Sequence, residues 1–202
     1  MKKVLHVGCG VKNPAKLPKK FHEPAWQEIR FDIDPNVLPD ITGTITDMKE
    51  VENESVDAVY SSHNIEHLYP HEVPFALKEF LRALKKNGFA LITCPDLQSV
   101  CELVANDKLL EPAYTSPAGP ISPIDILYGH RPSMARGNLF MAHRCGFTLK
   151  ALANTLIQVG FKKIYGLRDK KSFALWVLAF NWEPDDDTVK LFAIDFLNIN
   201  HT

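Results

Sequence analysis

The stretch that most constrains this chain is its start, where the short apolar run 3–7 passes directly into Gly8-Cys9-Gly10. The run is too short for a buried helix and suits a buried strand, while the two glycines allow a tight turn and a close backbone approach. In open α/β proteins such a turn sits at the carboxyl end of the sheet, where ligands bind. A dinucleotide fingerprint would continue to a third glycine, but position 13 is Asn13. A pyrophosphate also wants a helix N-terminus, and Pro14, Pro18 and Pro24 argue against a long helix over 11–25. The turn therefore favours a ligand without phosphate.

The rest of the chain alternates. Short apolar stretches bounded by turn residues predict strands at 28–33, 41–45, 56–61, 89–94, 162–167 and 173–180. Across 72–84, Val73, Leu77, Phe80, Leu81 and Leu84 share one helical face opposite Lys78, Glu79, Arg82 and Lys85, with Asn87-Gly88 as the expected stop. Helices are also expected over 97–105 and 147–159, the second ended by Gly160. The pattern is α/β: a mostly parallel sheet with helices on both faces, closed by an antiparallel pair joined around 168–171. Residues 111–146 are rich in proline and glycine without clear periodicity, and read as a long functional loop.

With 202 residues there is room for one well-buried domain, placed at 1–182 with a tail at 183–202. In the tail, Asp185-Asp186-Asp187 reads as a solvated spacer. The apolar 189–199 would dock on the domain or on a second copy, making a homodimer. The formal net charge of -1 gives no reason to expect nucleic acid as a partner. The lysines Lys12, Lys16, Lys19 and Lys20 are read as solvated loop charge. No apolar run approaches the roughly 20 residues that cross a bilayer, so no membrane partner is expected. Cys9, Cys94, Cys101 and Cys145 lack CxxC spacing and follow no secretory leader, which predicts reduced thiols in a cytoplasmic protein.

Asp32 ends the second predicted strand, where a carboxylate can accept both hydrogen bonds of a ribose diol; Asp34, before Pro35, is the better turn residue. Asp47 offers an acceptor for an adenine amine and Met48 an apolar surface for its ring. His63-Asn64-Ile65-Glu66-His67 matches H-x-x-E-H, a zinc-peptidase pattern that needs a helix carrying both histidines. A strand ending just before it and Pro70 and Pro74 just after it oppose that helix, and no metal is expected.

These stretches in this order resemble the class I S-adenosylmethionine-dependent methyltransferase superfamily, in particular its small bacterial-type members. Val4-Leu5-His6-Val7-Gly8-Cys9-Gly10 is similar to the first motif, Arg30-Phe31-Asp32-Ile33-Asp34-Pro35 to the acidic second, and Thr46-Asp47-Met48 to the adenine motif. Val56 to Leu68 is similar to the fourth strand with its Glu-His-Leu, 84–92 to a helix-turn-strand, and His143-Arg144-Cys145-Gly146-Phe147-Thr148 with Val159-Gly160-Phe161 to the late helix and its stop. The sequence departs from the pattern over 11–25 and in lacking the third glycine.

The resemblance implies a Rossmann-like seven-stranded sheet with an antiparallel last strand, and S-adenosylmethionine as cofactor, yielding S-adenosylhomocysteine. It implies Gly8 and Gly10 at the methionine end, Asp32 at the ribose, Asp47 and Met48 at adenine, and Ser62 at the strand end. His63 and His143 are the candidates for taking the acceptor's proton, since an imidazole suits that role near neutral pH. The segment 111–146 would roof a small-molecule acceptor through Tyr114, His130 and Arg131. The alternative is an inactive module that keeps the nucleoside pocket; a peptidase or a nicotinamide enzyme is more remote.

Overall fold

The structure, a computed structural model, describes residues 1–197. Its strands are β1 (Lys2–Val7), β2 (Trp26–Asp32), β3 (Ile41–Thr42), β4 (Val56–Ser62), β5 (Leu84–Pro95), β6 (Tyr114–Ser116), β7 (Gly119–Ile121), β8 (Lys163–Asp169) and β9 (Ala174–Phe180). The helices are α1 (Val73–Ala83), α2 (Leu97–Ala105), α3 (Pro123–Tyr128), α4 (Arg131–Ala135), α5 (Leu149–Val159) and α6 (Asp186–Leu197). Seven strands form one sheet in the order β3-β2-β1-β4-β5-β9-β8. β1 pairs in parallel with both β2 and β4, and β9 runs antiparallel to both β5 and β8. The expected mostly parallel sheet with an antiparallel last strand is present.

Period-two alternation buries both faces. Leu5, Val7, Val59, Ile92 and Val177 point to one side, against Leu77 and Phe80 of α1 and Leu152 and Leu156 of α5. Val4, Tyr60, Phe89, Leu91 and Phe180 point to the other. That second face is covered by α6 together with a short 3-10 turn, Lys19–His22, that carries Phe21. Phe196 of α6 packs its ring, tilted, with centroids 4.9 Å from Phe21 and 4.8 Å from Phe89. Burying such a ring is worth about 1.5–3 kcal/mol. The 3-10 turns of the proline-rich 11–25 and α6 thus cover a face that a long helix after β1 would otherwise shield.

Three local expectations need correction. The helix of 72–84 ends at Ala83, not at Asn87-Gly88: Leu84 is already extended and pairs with Val56, so β5 begins there. Asn87, with φ 64, is a left-handed residue inside the strand and not a helix cap. The segment 111–146 is folded, as the hairpin β6–β7, α3, α4 and a 3-10 turn at Leu139–Met141. Its pieces are too short to show periodicity. Finally, Asp185 is no spacer: its carboxylate takes the Thr188 N–H at 2.7 Å and starts α6, whose Val189, Ala193 and Phe196 pack on this same chain. Positions 198–202 of the tail lie outside the described residues. No helix among the described residues is long and apolar enough to cross a membrane.

Candidate active site

Because β1 is flanked by β2 on one side and β4 on the other, the chain leaves its carboxyl end in opposite directions, and a crevice opens there. It holds a cleft of about 690 Å³, within the range of small-molecule sites. Gly8, Gly10, Asp32, Ser62 and His63 all line it.

Gly8 and Gly10 have φ of 63° and 58°, the left-handed region that other residues enter only with strain. A Cβ on Gly8 would come within 2.6 Å of the Asn64 side chain, and one on Gly10 within 2.6 Å of Lys16 Nζ. The backbone therefore favours glycine at both positions, and the packing against Asn64 adds to this at Gly8. Lys16 donates to the Cys9 carbonyl at 3.1 Å and faces the cleft, so one of the four lysines read as solvated belongs to the site. The Asn64 amide nitrogen is buried and has no hydrogen-bond partner among the described residues. A donor and a cation thus sit against the two glycines.

Asp32 stands where the strand pattern placed it. One carboxylate oxygen accepts the Gly10 N–H at 2.7 Å and the other the Asp34 N–H at 2.9 Å. Asp34 in turn caps the following turn through the Asn36 N–H at 2.9 Å. Sequence reasoning missed Arg30, whose buried guanidinium donates to the carbonyls of Leu38, Val37 and Gly10 and ties both glycine and post-β2 loops together. A cation between the apolar Ile29 and Phe31 of a predicted strand was the available signal.

The adenine expectation is corrected. Met48 is fully buried in the core, its N–H on Glu79 and its carbonyl on Arg82, and cannot face a ligand. Asp47 is exposed and off the cleft. The wall there is Gly43, Thr44, Ile45 and Thr46, with Phe31 behind Gly43. The residues that reach the cleft come slightly earlier than Asp47 because the short β3 ends at Thr42 and its loop turns inward at once.

At the end of β4, Ser62 shares a 3.0 Å hydrogen bond with Thr93. His63 follows in a left-handed conformation, φ 46°, its backbone N–H on Thr93. Non-glycine residues held this way cluster at functional sites. Its Nδ1 lies 3.3 Å from Glu66 Oε1. Enclosure in the cleft disfavours the charged imidazole, but the Glu66 carboxylate outweighs this and raises the His63 pKa. Glu66 is completely buried; burial alone would favour its neutral form, yet His63, then His67 and His143, hold its pKa down. His67 lines the cleft, whereas His143 faces an adjoining cavity of about 160 Å³ beside Leu97 and Ile126. Burial lowers the His143 pKa. His143 is therefore corrected as a proton acceptor: it lies away from the cleft that Gly8 and Asp32 line.

The acceptor-side residues need revision too. Tyr114 stacks on Phe173 at 6.2 Å, His130 bonds Ser133, and Arg131 is held by Asp125 at 2.7 Å; none lines the cleft. They build the fold of the segment: Ser122 and Asp125 form the capping box of α3, and Arg131 clamps it. The segment instead contributes Asn138, Phe140, Met141 and Arg144 to the cleft. Arg144 stacks over the Tyr69 ring at 4.7 Å. Without periodicity, sequence alone could not choose among its polar and aromatic residues.

Residues 5–92 match the family model described as a methyltransferase domain. No curated protein matches the chain. Among solved structures, an S-adenosylmethionine-dependent methyltransferase from Archaeoglobus fulgidus aligns at TM-score 0.56 and 14% identity, over 89% of this chain and 86% of that one. A Methanosarcina mazei methyltransferase aligns at 0.56 and 14%, over 90% and 93%. The Burkholderia thailandensis 1,6-didemethyltoxoflavin-N1-methyltransferase, crystallised with bound 1,6-didemethyltoxoflavin and S-adenosylhomocysteine, aligns at 0.57 and 14%, over 90% and 71%. The family match over residues 5–92 and the sheet shared across nearly the whole chain agree: the chain is similar in its first strands to a methyltransferase domain and has the fold of the S-adenosylmethionine-dependent methyltransferases.

Proposed function

We propose that this protein transfers a methyl group from S-adenosylmethionine to a small-molecule acceptor held beneath the 138–144 segment. The observation that carries the reading is the donor half of the cleft. Asp32 keeps lone pairs free after its two backbone bonds, as a ribose diol requires. The orphaned Asn64 amide and the Lys16 ammonium against Gly8 and Gly10 suit the donor's carboxylate. Phe31, Ile45 and the Thr44 and Thr46 hydroxyls suit an adenine ring and its edge.

The donor supplies a methyl group already activated by a cationic sulfur. What remains for the chain is alignment, a contribution worth up to about 7–11 kcal/mol. Arg30, by fixing the glycine turn to the loop after β2, holds the donor's two ends in register. His63, at the exit of β4 between the two halves of the cleft, is placed to relieve the acceptor of a proton, with the Glu66 carboxylate 3.3 Å from its Nδ1 to favour the protonated ring. Phe140, Met141 and Arg144 close the acceptor side.

The test is calorimetric titration with S-adenosylhomocysteine, followed by mass spectrometry of metabolites methylated when the purified protein and labelled donor are added to a lysate. Binding with new methylated products supports the reading. Absence of binding refutes it, and binding without any product favours the inactive module.

A further inference from the structure

Glu66 poses a problem that methyl transfer does not solve. Its side chain is completely buried, and neither carboxylate oxygen has a hydrogen-bond partner among the described residues. His63 approaches Oε1 at 3.3 Å but out of hydrogen-bond alignment. A buried carboxylate left this way is costly unless a cation or donors meet it.

Two imidazoles turn toward it with their nitrogens already sorted. His67 Nδ1 lies 3.0 Å from the Ala142 carbonyl, and His143 Nδ1 lies 2.8 Å from the Ile126 carbonyl. A carbonyl only accepts, so both Nδ1 atoms carry hydrogen, and in the neutral rings both Nε2 atoms present lone pairs. This is how metal-binding histidines are ordinarily set, with the outer nitrogen donating to a backbone carbonyl. The two rings pack edge to face with centroids 4.9 Å apart. One ligand atom from each of Glu66, His67 and His143 lies within 4.8 Å of the other two. Ligands around a tetrahedral ion bonded at about 2.0–2.2 Å stand roughly 3.3 Å apart, so closure requires side-chain movement on the order of 1 Å.

We propose that Glu66, His67 and His143 bind a divalent first-row transition-metal ion. Imidazole with one carboxylate is the donor set of zinc, iron, cobalt and nickel; calcium and magnesium prefer oxygen alone. The grouping is not that of a zinc-peptidase helix. Residues 65–67 form a single 3-10 turn, and the second histidine comes from a stretch distant in sequence, 142–145, whose backbone is hydrogen-bonded to that turn. His67 also lines the cleft, so the ion would lie beside the acceptor half of the active site.

The experiment uses the full chain, stripped with a chelator and dialysed, then titrated with Co²⁺ by calorimetry and visible absorption, and with Zn²⁺ in competition. The expected result is one bound Co²⁺ displaced by Zn²⁺, with affinity falling at least about tenfold in both His67→Gln and His143→Gln, the least that losing even an outer partner costs. Thermal melting establishes that each variant folds, and His67→Gln decides the matter if His143→Gln does not. No binding by the wild type, or unchanged affinity in a folded variant, overturns the site. Titration with S-adenosylhomocysteine runs in parallel, so a failed donor reading and a failed metal site give separate signals.

Discussion

Replacing Asp32 with asparagine removes one acceptor from a carboxylate whose bonding is fully countable. The group offers about four lone-pair directions. Two are used by the Gly10 and Asp34 N–H groups, at 2.7 and 2.9 Å. Two remain, one on each oxygen, for the two hydroxyls of a ribose. The amide of the Asp32→Asn variant would keep one oxygen and present an NH₂ group in place of the other. Whichever way the amide turns, one backbone N–H then faces a donor and one ribose hydroxyl loses its acceptor. A hydrogen bond to a charged group contributes about 1.5–3 kcal/mol, so the dissociation constant for S-adenosylhomocysteine rises about 10- to 150-fold. Asp32→Ala removes both and roughly doubles the loss in free energy. Calorimetry on the wild type and both variants, with melting temperatures to confirm folding, reads this directly. An affinity within about threefold of wild type for both, well under the smallest loss expected, would show that the ribose does not sit on Asp32.

Phe140→Ala, at the mouth of the cleft, should lower kcat/KM for the acceptor by roughly 10- to 100-fold, the worth of one covered ring, and leave S-adenosylhomocysteine affinity unchanged; equal losses in both would move Phe140 to the donor side. Asp125→Asn should destabilise the fold by about 1–2 kcal/mol without touching donor affinity, the modest figure reflecting that Arg131 is half exposed. The Arg131 guanidinium, followed by Ser122, holds the Asp125 carboxyl far below the usual range. Its stabilisation is therefore complete above the unfolded value of about 3.9 and fades only as the pH drops further. Urea titrations of wild type and variant should keep a constant gap at neutral pH that narrows below about pH 4; a gap that instead narrows on the alkaline side contradicts the pairing. Of the four cysteines, only Cys101 is exposed. Burial pushes the thiols of Cys9 and Cys145 up to about 11 and that of Cys94 well above its usual value. Iodoacetamide at about pH 8 should accordingly modify Cys101 alone in the folded chain, and mass spectrometry showing early labelling of Cys9 would place that residue in a more open turn.

Most of the sheet was legible because each strand is a short apolar run with period two on two buried faces, so Val4 and Leu5, or Leu91 and Ile92, announce opposite sides of one layer. Gly8, Gly10 and Asp32 were legible for the same reason: they stand at strand ends, where pattern fixes position to within a residue. Met48 was misread because a sequence pattern cannot say whether an apolar residue beside a polar one faces a ligand or the core, and Glu79 and Arg82 pull its backbone inward. Tyr114, His130 and Arg131 were misread because in a segment without periodicity the polar residues that build the fold and those that face the cleft look alike. The Glu66 neighbourhood was illegible on other grounds. His67 and His143 are brought together by the path of the whole chain, and local spacing gave only the H-x-x-E-H reading, which holds Glu66 and His67 but pairs them with His63 instead of His143.

That path also predicts where the acceptor side can yield. The stretch 142–145 is laced to the turn after β4: the Arg144 and Cys145 N–H groups both donate to the Glu66 carbonyl, at 2.8 and 3.2 Å, and His67 reaches Ala142. The His143 N–H donates back to Tyr128 at 3.2 Å, and Gly129 bridges Ala142 so tightly that a Cβ there would collide with the Met141 carbonyl. The two ends of 130–141 are thus clasped together and fixed to the active-site turn. Within the loop, the N–H groups of Ser133, Arg136, Gly137, Asn138, Leu139 and Met141 bond only to carbonyls of the same stretch, 130–138. Such local bonds open without disturbing the sheet, whereas those of 143–145 cannot. Native hydrogen exchange should find the amides of 133–141 exchanging well ahead of those of His143, Arg144 and Cys145, so that Phe140 rides on the part of the wall that opens. Protection of 133–141 equal to that of 143–145 would mean the loop is as rigid as its clasp, and acceptor entry would then require opening at the donor side.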